Sequence, residues 1–271
     1  MPRAVLVTGA NSGIGLATAI WLARRGFHVV GTVRSASKAR IVERVAALEH
    51  TRVDTTVLDV TDAVRSAALI DELRPFGLVN NAGYPAAGAV EDLSDEDGRL
   101  ALETMVVAPM RLARLALPHM RARGDGRIVN ISSVFARLAP PFSGWYQAAK
   151  SALEGLSDAL RVEVAAAGVR VVLIEPGGVQ TGIWSAVERQ AERLHGSAFD
   201  DAYLRYRAGL GWLQPFMAQP THVAAVVGRA MTALNPRPRY VVGADAQLLG
   251  LISWLVPSVV RDGVMRLALG L

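Results

Sequence analysis

Ala4-Val5-Leu6-Val7-Thr8-Gly9-Ala10-Asn11-Ser12-Gly13-Ile14-Gly15 is the stretch on which the reading of this chain turns. Ala4 to Thr8 has the apolar, β-branched character of a short buried strand, and the pattern from Gly13 onward is helical. Between them, Gly9 lets the chain leave the strand in a conformation that a Cβ resists. Gly13 and Gly15 allow a close backbone approach and close packing of helix on sheet. A helix that begins at Gly13 points free N–H groups and a partial positive charge into the turn, which suits a phosphate. The spacing departs from GxGxxG, and a glycine-rich turn without ligand is the competing reading.

Outward from this segment the chain alternates apolar runs with helical patterns. His28 to Val33, Val53 to Leu58, Gly77 to Asn80, Arg127 to Ser132, Arg170 to Glu175 and Tyr240 to Val242 continue the strand series. This βαβ rhythm predicts an α/β fold of the Rossmann type, a doubly wound sheet of about seven parallel strands between two helical layers. The longest helical patterns are Leu100 to Arg123 and Trp145 to Ala167, closed by Gly124 and Gly168. We expect one catalytic domain over 1–245, a substrate lid at about 182–219 where the strand rhythm lapses, and an apolar C-terminal extension over 246–271. No fixed-period repeat and no low-complexity segment interrupts it.

With no cysteine among its 271 residues, the chain has no disulfide, zinc thiolate or thiol nucleophile. The formal net charge is +5, but the basic residues are scattered and nearly all arginine, so no nucleic-acid patch is expected. Lysine occurs only as Lys38 and Lys150. The first residues carry no secretory signal pattern, and the expected location is the cytoplasm.

Sites that hold NAD place an acid about 20 residues beyond the glycine turn, on the adenosine ribose hydroxyls. Here the second strand ends Gly31-Thr32-Val33-Arg34. An acid there repels a 2′-phosphate, whereas Arg34 can pair with one through charge-assisted hydrogen bonds, with Ser35, Ser37 and Lys38 as helpers. The expected cofactor is therefore NADP(H) rather than NAD(H).

Ser133 stands at the end of the fifth strand, and Tyr146 and Lys150 are four residues apart in a helical pattern, hence on one face. A phenol with its ordinary pKa near 10 is a poor base at neutral pH, and an ammonium one turn away favours its phenolate. Ser133 can hydrogen-bond a substrate oxygen, a role for which Ser132 is its neighbouring competitor.

The ordered set Thr8 to Gly15, Asp59, Asn80-Asn81-Ala82-Gly83, Ser133, Tyr146-Gln147-Ala148-Ala149-Lys150 and Pro176-Gly177-Gly178-Val179-Gln180-Thr181 closely resembles the short-chain dehydrogenase/reductase family. The resemblance implies catalysis by Ser133, Tyr146 and Lys150. It implies a cofactor held by Gly9, Asn11, Ser12, Gly13, Ile14, Gly15, Arg34, Asp59, Val60, Asn81, Ala82, Gly83, Pro176, Gly177, Val179 and Thr181, together with Tyr146 and Lys150. Tyr146 then donates a proton to a ketone or accepts one from an alcohol while hydride moves. Read singly, Asp59 can instead cap a helix at Thr61. One departure stands out: Met105 occupies a position where family members usually carry an asparagine that supports a water relay toward the lysine. Methionine donates no hydrogen bond, so the proton path is rearranged or activity is reduced.

Tyr84, Phe135, Leu138, Trp145, Trp184, Trp212 and Phe216 gather near the catalytic helix or in the lid, as an apolar substrate pocket requires. The resemblance is strongest to members acting on hydroxysteroid-, retinol- or other lipid-like carbonyls. The run from Leu248 to Val260 falls short of a membrane span and is expected to lie against its own protein or a sister subunit in a homodimer or homotetramer, rather than on a membrane. Two other functions compete: a catalytically silent nucleotide-binding sensor, and a redox-neutral epimerase or dehydratase of the same fold.

Overall fold

The computed structural model describes residues 2–138, 140–194, 196–213 and 217–271. Seven parallel strands form one sheet: β1 (Ala4–Val7), β2 (His28–Val33), β3 (Asp54–Val57), β4 (Gly77–Asn80), β5 (Gly126–Ile131), β6 (Val169–Pro176) and β7 (Arg239–Val242). Their spatial order is β3-β2-β1-β4-β5-β6-β7. The chain winds outward from β1 in one direction, returns, and winds outward from β4 in the other. Such a sheet is buried on both faces, so its strands are apolar throughout rather than alternating with polar residues.

Alternate strand residues feed two separate cores. Val5, Val7, Val29, Val79, Val129 and Val172 point to one face, with α1 (Gly13–Ala23), α2 (Ala36–Leu48) and α9 (Pro220–Thr232). Leu6, Val30, Leu78, Ile128 and Val171 point to the other, with α3 (Ala63–Leu73) and α5 (Ala108–Arg123). The two-residue period of a strand makes this division.

The strands coincide with those read from the sequence to within a residue or two. The helices differ more. The single pattern expected from Leu100 to Arg123 is α4 (Asp95–Leu102), a π-helical turn at Glu103–Val107, and then α5. Ser94 and Asp97 form a capping box that starts α4 earlier than the apolar pattern shows. Gly124 ends α5 at φ +69°, the left-handed conformation that glycine adopts most readily. The helix expected from Trp145 is α6 (Gly144–Glu163), followed by a 3₁₀ turn that stops at Gly168.

Between β6 and β7 lie α7 (Ile183–Glu192) and α8 (Asp200–Leu213), where a lid was expected. Beyond β7 the apolar extension folds as α10 (Ala244–Leu255) and α11 (Ser258–Leu269), broken at Pro257. Among the described residues no helix is long and apolar enough to cross a membrane.

Candidate active site

Every parallel strand delivers the residue after its carboxyl end to the same edge of the sheet. At that edge lies a cavity of about 590 Å³. Gly9, Asn11, Ser12, Gly13 and Ile14 reach it from β1, Arg34 from β2, and Asp59 and Val60 from β3. Asn81 to Gly83 follow β4, Ser133 follows β5, and Pro176, Gly177, Val179 and Thr181 close β6 and the turn after it. Tyr146 and Lys150 enter from α6. Of the catalytic and cofactor-holding residues that the family resemblance implies, Gly15 alone does not line the cavity; it lies beneath the loop. A wider cleft of about 1200 Å³ between α1, α7 and α9 contains none of Ser133, Tyr146 and Lys150.

The glycine loop is held from below. Thr8 Oγ1 accepts hydrogen bonds from the Asn81 and Ala82 N–H groups, each at 2.9 Å. The Asn81 amide donates back to the Thr8 and Gly9 carbonyls at 2.9 and 3.3 Å. Gly9 has φ +66°, and a Cβ on Gly15 falls 2.3 Å from the Gly9 carbonyl oxygen, so Gly15 serves the folding of the turn itself. α1 opens at Ser12 with no side chain bonded to its first amides. This is a cradle of backbone donors at a helix N-terminus, of the shape and polarity that a pyrophosphate needs.

Beyond β2, Arg34 is exposed and Lys38 partly buried; both line the cavity. Ser35 caps α2 by accepting from the Lys38 N–H, and its hydroxyl pairs with that of Ser37. Neither serine lines the cavity. Asp59 does not cap a helix: α3 is capped by Asp62, while Asp59 accepts from the Thr61 N–H and hydroxyl at 3.0 and 2.8 Å. Those bonds, with the attraction of Arg34, hold the Asp59 carboxyl below the usual carboxylate range.

Both serines at the end of β5 border the cavity, but their hydroxyls have different partners. The Ser132 hydroxyl donates to Glu154 Oε1 at 2.7 Å, while Ser133 Oγ accepts from the Phe135 N–H at 3.2 Å and lies beside the Tyr146 phenol, whose anion it favours. Lys150 is buried and donates to the Ile131 carbonyl at 2.8 Å, with Nζ 5.6 Å from the centre of the Tyr146 ring. Spacing alone suggests a phenol made more acidic by this ammonium. In the protein alone the phenol is pushed up instead, because burial outweighs the Ser133 hydrogen bond. Burial likewise pulls Lys150 down to about 8, against the attraction of Glu154. Desolvation disfavours the charged form of each group.

Met105 is fully buried on the π-helical turn, in an apolar cluster with Tyr146, Ala149 and Trp145. A Cβ on Gly83 falls 3.3 Å from its sulfur. Below it, Asn80 donates to Asn130, which donates to Ser157, each at 2.8 Å, so Asn80 ties β4 and β5 to α6 and does not face the cavity.

Tyr84, Phe135 and Trp184 of the expected pocket aromatics line the cavity, joined by Phe142, Val187 and Tyr206. Trp145 packs on Gly98 of α4, and Leu138 is buried outside the cavity wall. Phe216 lies outside the described residues, as does the side chain of Trp212. Asp245 of α10 escaped sequence reasoning altogether. Its carboxylate accepts from the Gly178 N–H at 2.6 Å and fills the space where a Cβ on Gly177 belongs. No local motif links residues so far apart.

Residues 3–192 match the family described as short chain dehydrogenase. Human retinol dehydrogenase 5 is 34% identical over 96% of this chain and 87% of its own length. A short-chain dehydrogenase from Streptomyces avermitilis superposes with a TM-score of 0.80 at 31% identity, over 98% of this chain and 96% of that one. An actinorhodin polyketide ketoreductase with NADPH gives 0.77 at 28%, over 92% and 97%. A short-chain dehydrogenase/reductase from Burkholderia phymatum in complex with NAD gives 0.77 at 25%, over 89% and 88%. The chain belongs to the short-chain dehydrogenase/reductase family and is a nucleotide-binding oxidoreductase.

Thr8 is where the loop geometry is most exposed to test. Thr8→Val keeps the shape and removes the hydroxyl that accepts from two amides. We expect a loss of about 1–3 kcal/mol in urea unfolding and weaker nucleotide binding. Unchanged stability would show that these hydrogen bonds do not hold the loop.

Proposed function

We propose that the protein interconverts a ketone or aldehyde and an alcohol on a hydrophobic substrate, with preference for NADP(H). The observation that carries this reading is the placement of Ser133, Tyr146 and Lys150 in the same cavity as the glycine cradle and Arg34. The cradle fits a dinucleotide: Gly9 and Gly13 hold positive φ, and a Cβ on Gly13 meets Thr181 at 2.9 Å. Residues Asn11 to Ile14 would hold the pyrophosphate, Asp59 and Val60 the adenine, Arg34 with Lys38 a 2′-phosphate, and Lys150 with Pro176 to Thr181 the nicotinamide end. Bound there, the nicotinamide supplies or accepts the hydride.

The protein's own part is proton transfer and orientation. Ser133 offers its hydroxyl to the substrate oxygen beside the Tyr146 phenol. In reduction Tyr146 gives its proton to that oxygen, and in oxidation it takes one. A phenol that burial keeps protonated is ready to donate, which favours reduction in the protein alone. Lys150 lowers the cost of the phenolate that remains, provided it is charged, and a cationic nicotinamide acts in the same sense during oxidation.

Tyr84, Phe135, Phe142, Trp184, Val187 and Tyr206 supply apolar walls, and retinol, on which the human relative is named, has that character. α7 and α8 would serve as the lid over these walls, and the catalytic domain would end near residue 245. Leu248, Leu251, Leu255, Val259, Val264 and Leu267 are exposed on α10 and α11, an apolar surface that a sister subunit in a dimer or tetramer would cover. The silent-sensor and redox-neutral readings have less in their favour, since an acid/base set in register with the cradle is unnecessary for a ligand that is only held.

Three substitutions test this. Tyr146→Phe is expected to cut kcat for ketone reduction by roughly 10²–10⁴-fold while leaving NADPH affinity unchanged, as followed by nicotinamide absorbance and fluorescence; near-normal turnover contradicts the assignment. Arg34→Asp is expected to weaken NADPH binding by roughly 10–100-fold and NADH binding far less. An unaltered ratio removes Arg34 from cofactor choice. Met105→Asn is expected to raise kcat, at a cost of about 1–3 kcal/mol for a buried amide, and an unchanged rate means that proton supply does not limit this enzyme.

A further inference from the structure

Four polar side chains succeed one another at one-turn intervals along α6: Tyr146, Lys150, Glu154 and Asp158. The first two line the cavity, and Glu154 does not. It is nevertheless buried, with its side chain only 10% exposed. Its two oxygens have separate partners. Oε1 accepts from the Ser132 hydroxyl at the end of β5, at 2.7 Å, and Oε2 accepts from Arg239 of β7 at 2.5 Å.

Arg239 also donates to Glu175 at the end of β6, at 2.6 Å, and to Asp158. Arg137, in the turn after Ser133, pairs with Glu175 at 3.0 Å. Asp158 pairs in addition with Arg161 of the same helix, so three carboxylates meet three guanidinium groups, and Lys150 is the further cation one turn from Glu154. From its own helix Lys150 faces Glu154 and the Tyr146 ring, and from β5 the Ile131 carbonyl.

Removal of the Glu154 carboxylate would leave Lys150 with burial alone acting on it. We propose that Glu154 is a positioning residue of the proton-transfer site: its carboxylate keeps Lys150 charged and, through Ser132, fixes the strand end that carries Ser133. This rests on the reading of Tyr146 and Lys150 as the proton-transferring pair. Since the lysine is the ammonium below its pKa of about 8, its charge is lost as pH rises through that value. Withdrawing Glu154 moves that loss to lower pH.

The chain has only two lysines, so protein grown with lysine labelled with ¹³C at Cε gives two side-chain resonances, assigned with Lys38→Arg. Titrated by NMR, the Lys150 signal is expected to move about one pH unit or more lower in Glu154→Gln. The alkaline limb of kcat for ketone reduction should move down with it while KM for the ketone holds. Glu154→Asp keeps the charge one methylene farther away and should fall between. It decides the matter alone if the glutamine variant does not fold.

A merely structural role lowers the melting temperature without moving the lysine titration, and that result overturns the inference. The underlying reading fails differently: Tyr146→Phe would then retain turnover, whatever the Lys150 signal does.

Discussion

Adjacent parallel strands whose connections leave in opposite directions cannot be bridged by either helix, and the gap between their carboxyl ends is the constraint on which this molecule is built. Here the strands are β1 and β4, neighbours in space though not in sequence. Thr8 closes the base of the gap by joining the end of β1 to the first residues after β4, and Asn81 returns two bonds to the loop. What remains open above them is the mouth of the cavity. Ligand sites in open α/β sheets occupy this place because only there are loop residues from both halves within reach of one molecule.

The same edge explains the electrostatics. Residues at strand ends are backed by a dry core, so a phenol and an ammonium placed there lose most of their hydration. Desolvation acts against charge on both, raising Tyr146 and lowering Lys150, and every remaining interaction strengthens as the surroundings become less polar. The spacing of a tyrosine and a lysine gives the sign of their mutual effect. It does not give the sign of the sum, which burial decides.

Legibility followed the range of the interactions. Strands were readable because double burial makes them uninterrupted apolar runs, and Gly124 and Gly168 stopped their helices where the sequence put them. The cavity lining was readable from ordered motifs, each local to one strand end. The capping box at Ser94 was there to be read, but the π-helical turn was not, for it has no periodicity of its own in five residues. Asp245 and Arg239 were invisible for a different cause: each acts on partners more than 60 residues earlier, and one sequence carries no record of such pairing.

The seventh strand shows what such long-range pairing accomplishes. β7 contributes nothing to the cavity wall, and as an edge strand it is only partly covered. A helix whose inward face carries a phenol, an ammonium and a buried carboxylate cannot pack against an apolar sheet unless the charges find partners. Ser132 and Glu175 come from the ends of the neighbouring strands, yet without Arg239 the buried Glu154 would have no guanidinium partner. Lengthening the sheet by one strand brings that guanidinium to the underside of α6. Glu154 is then buried with a partner on each oxygen, and Lys150 and Tyr146 follow one and two turns along the helix at the cavity.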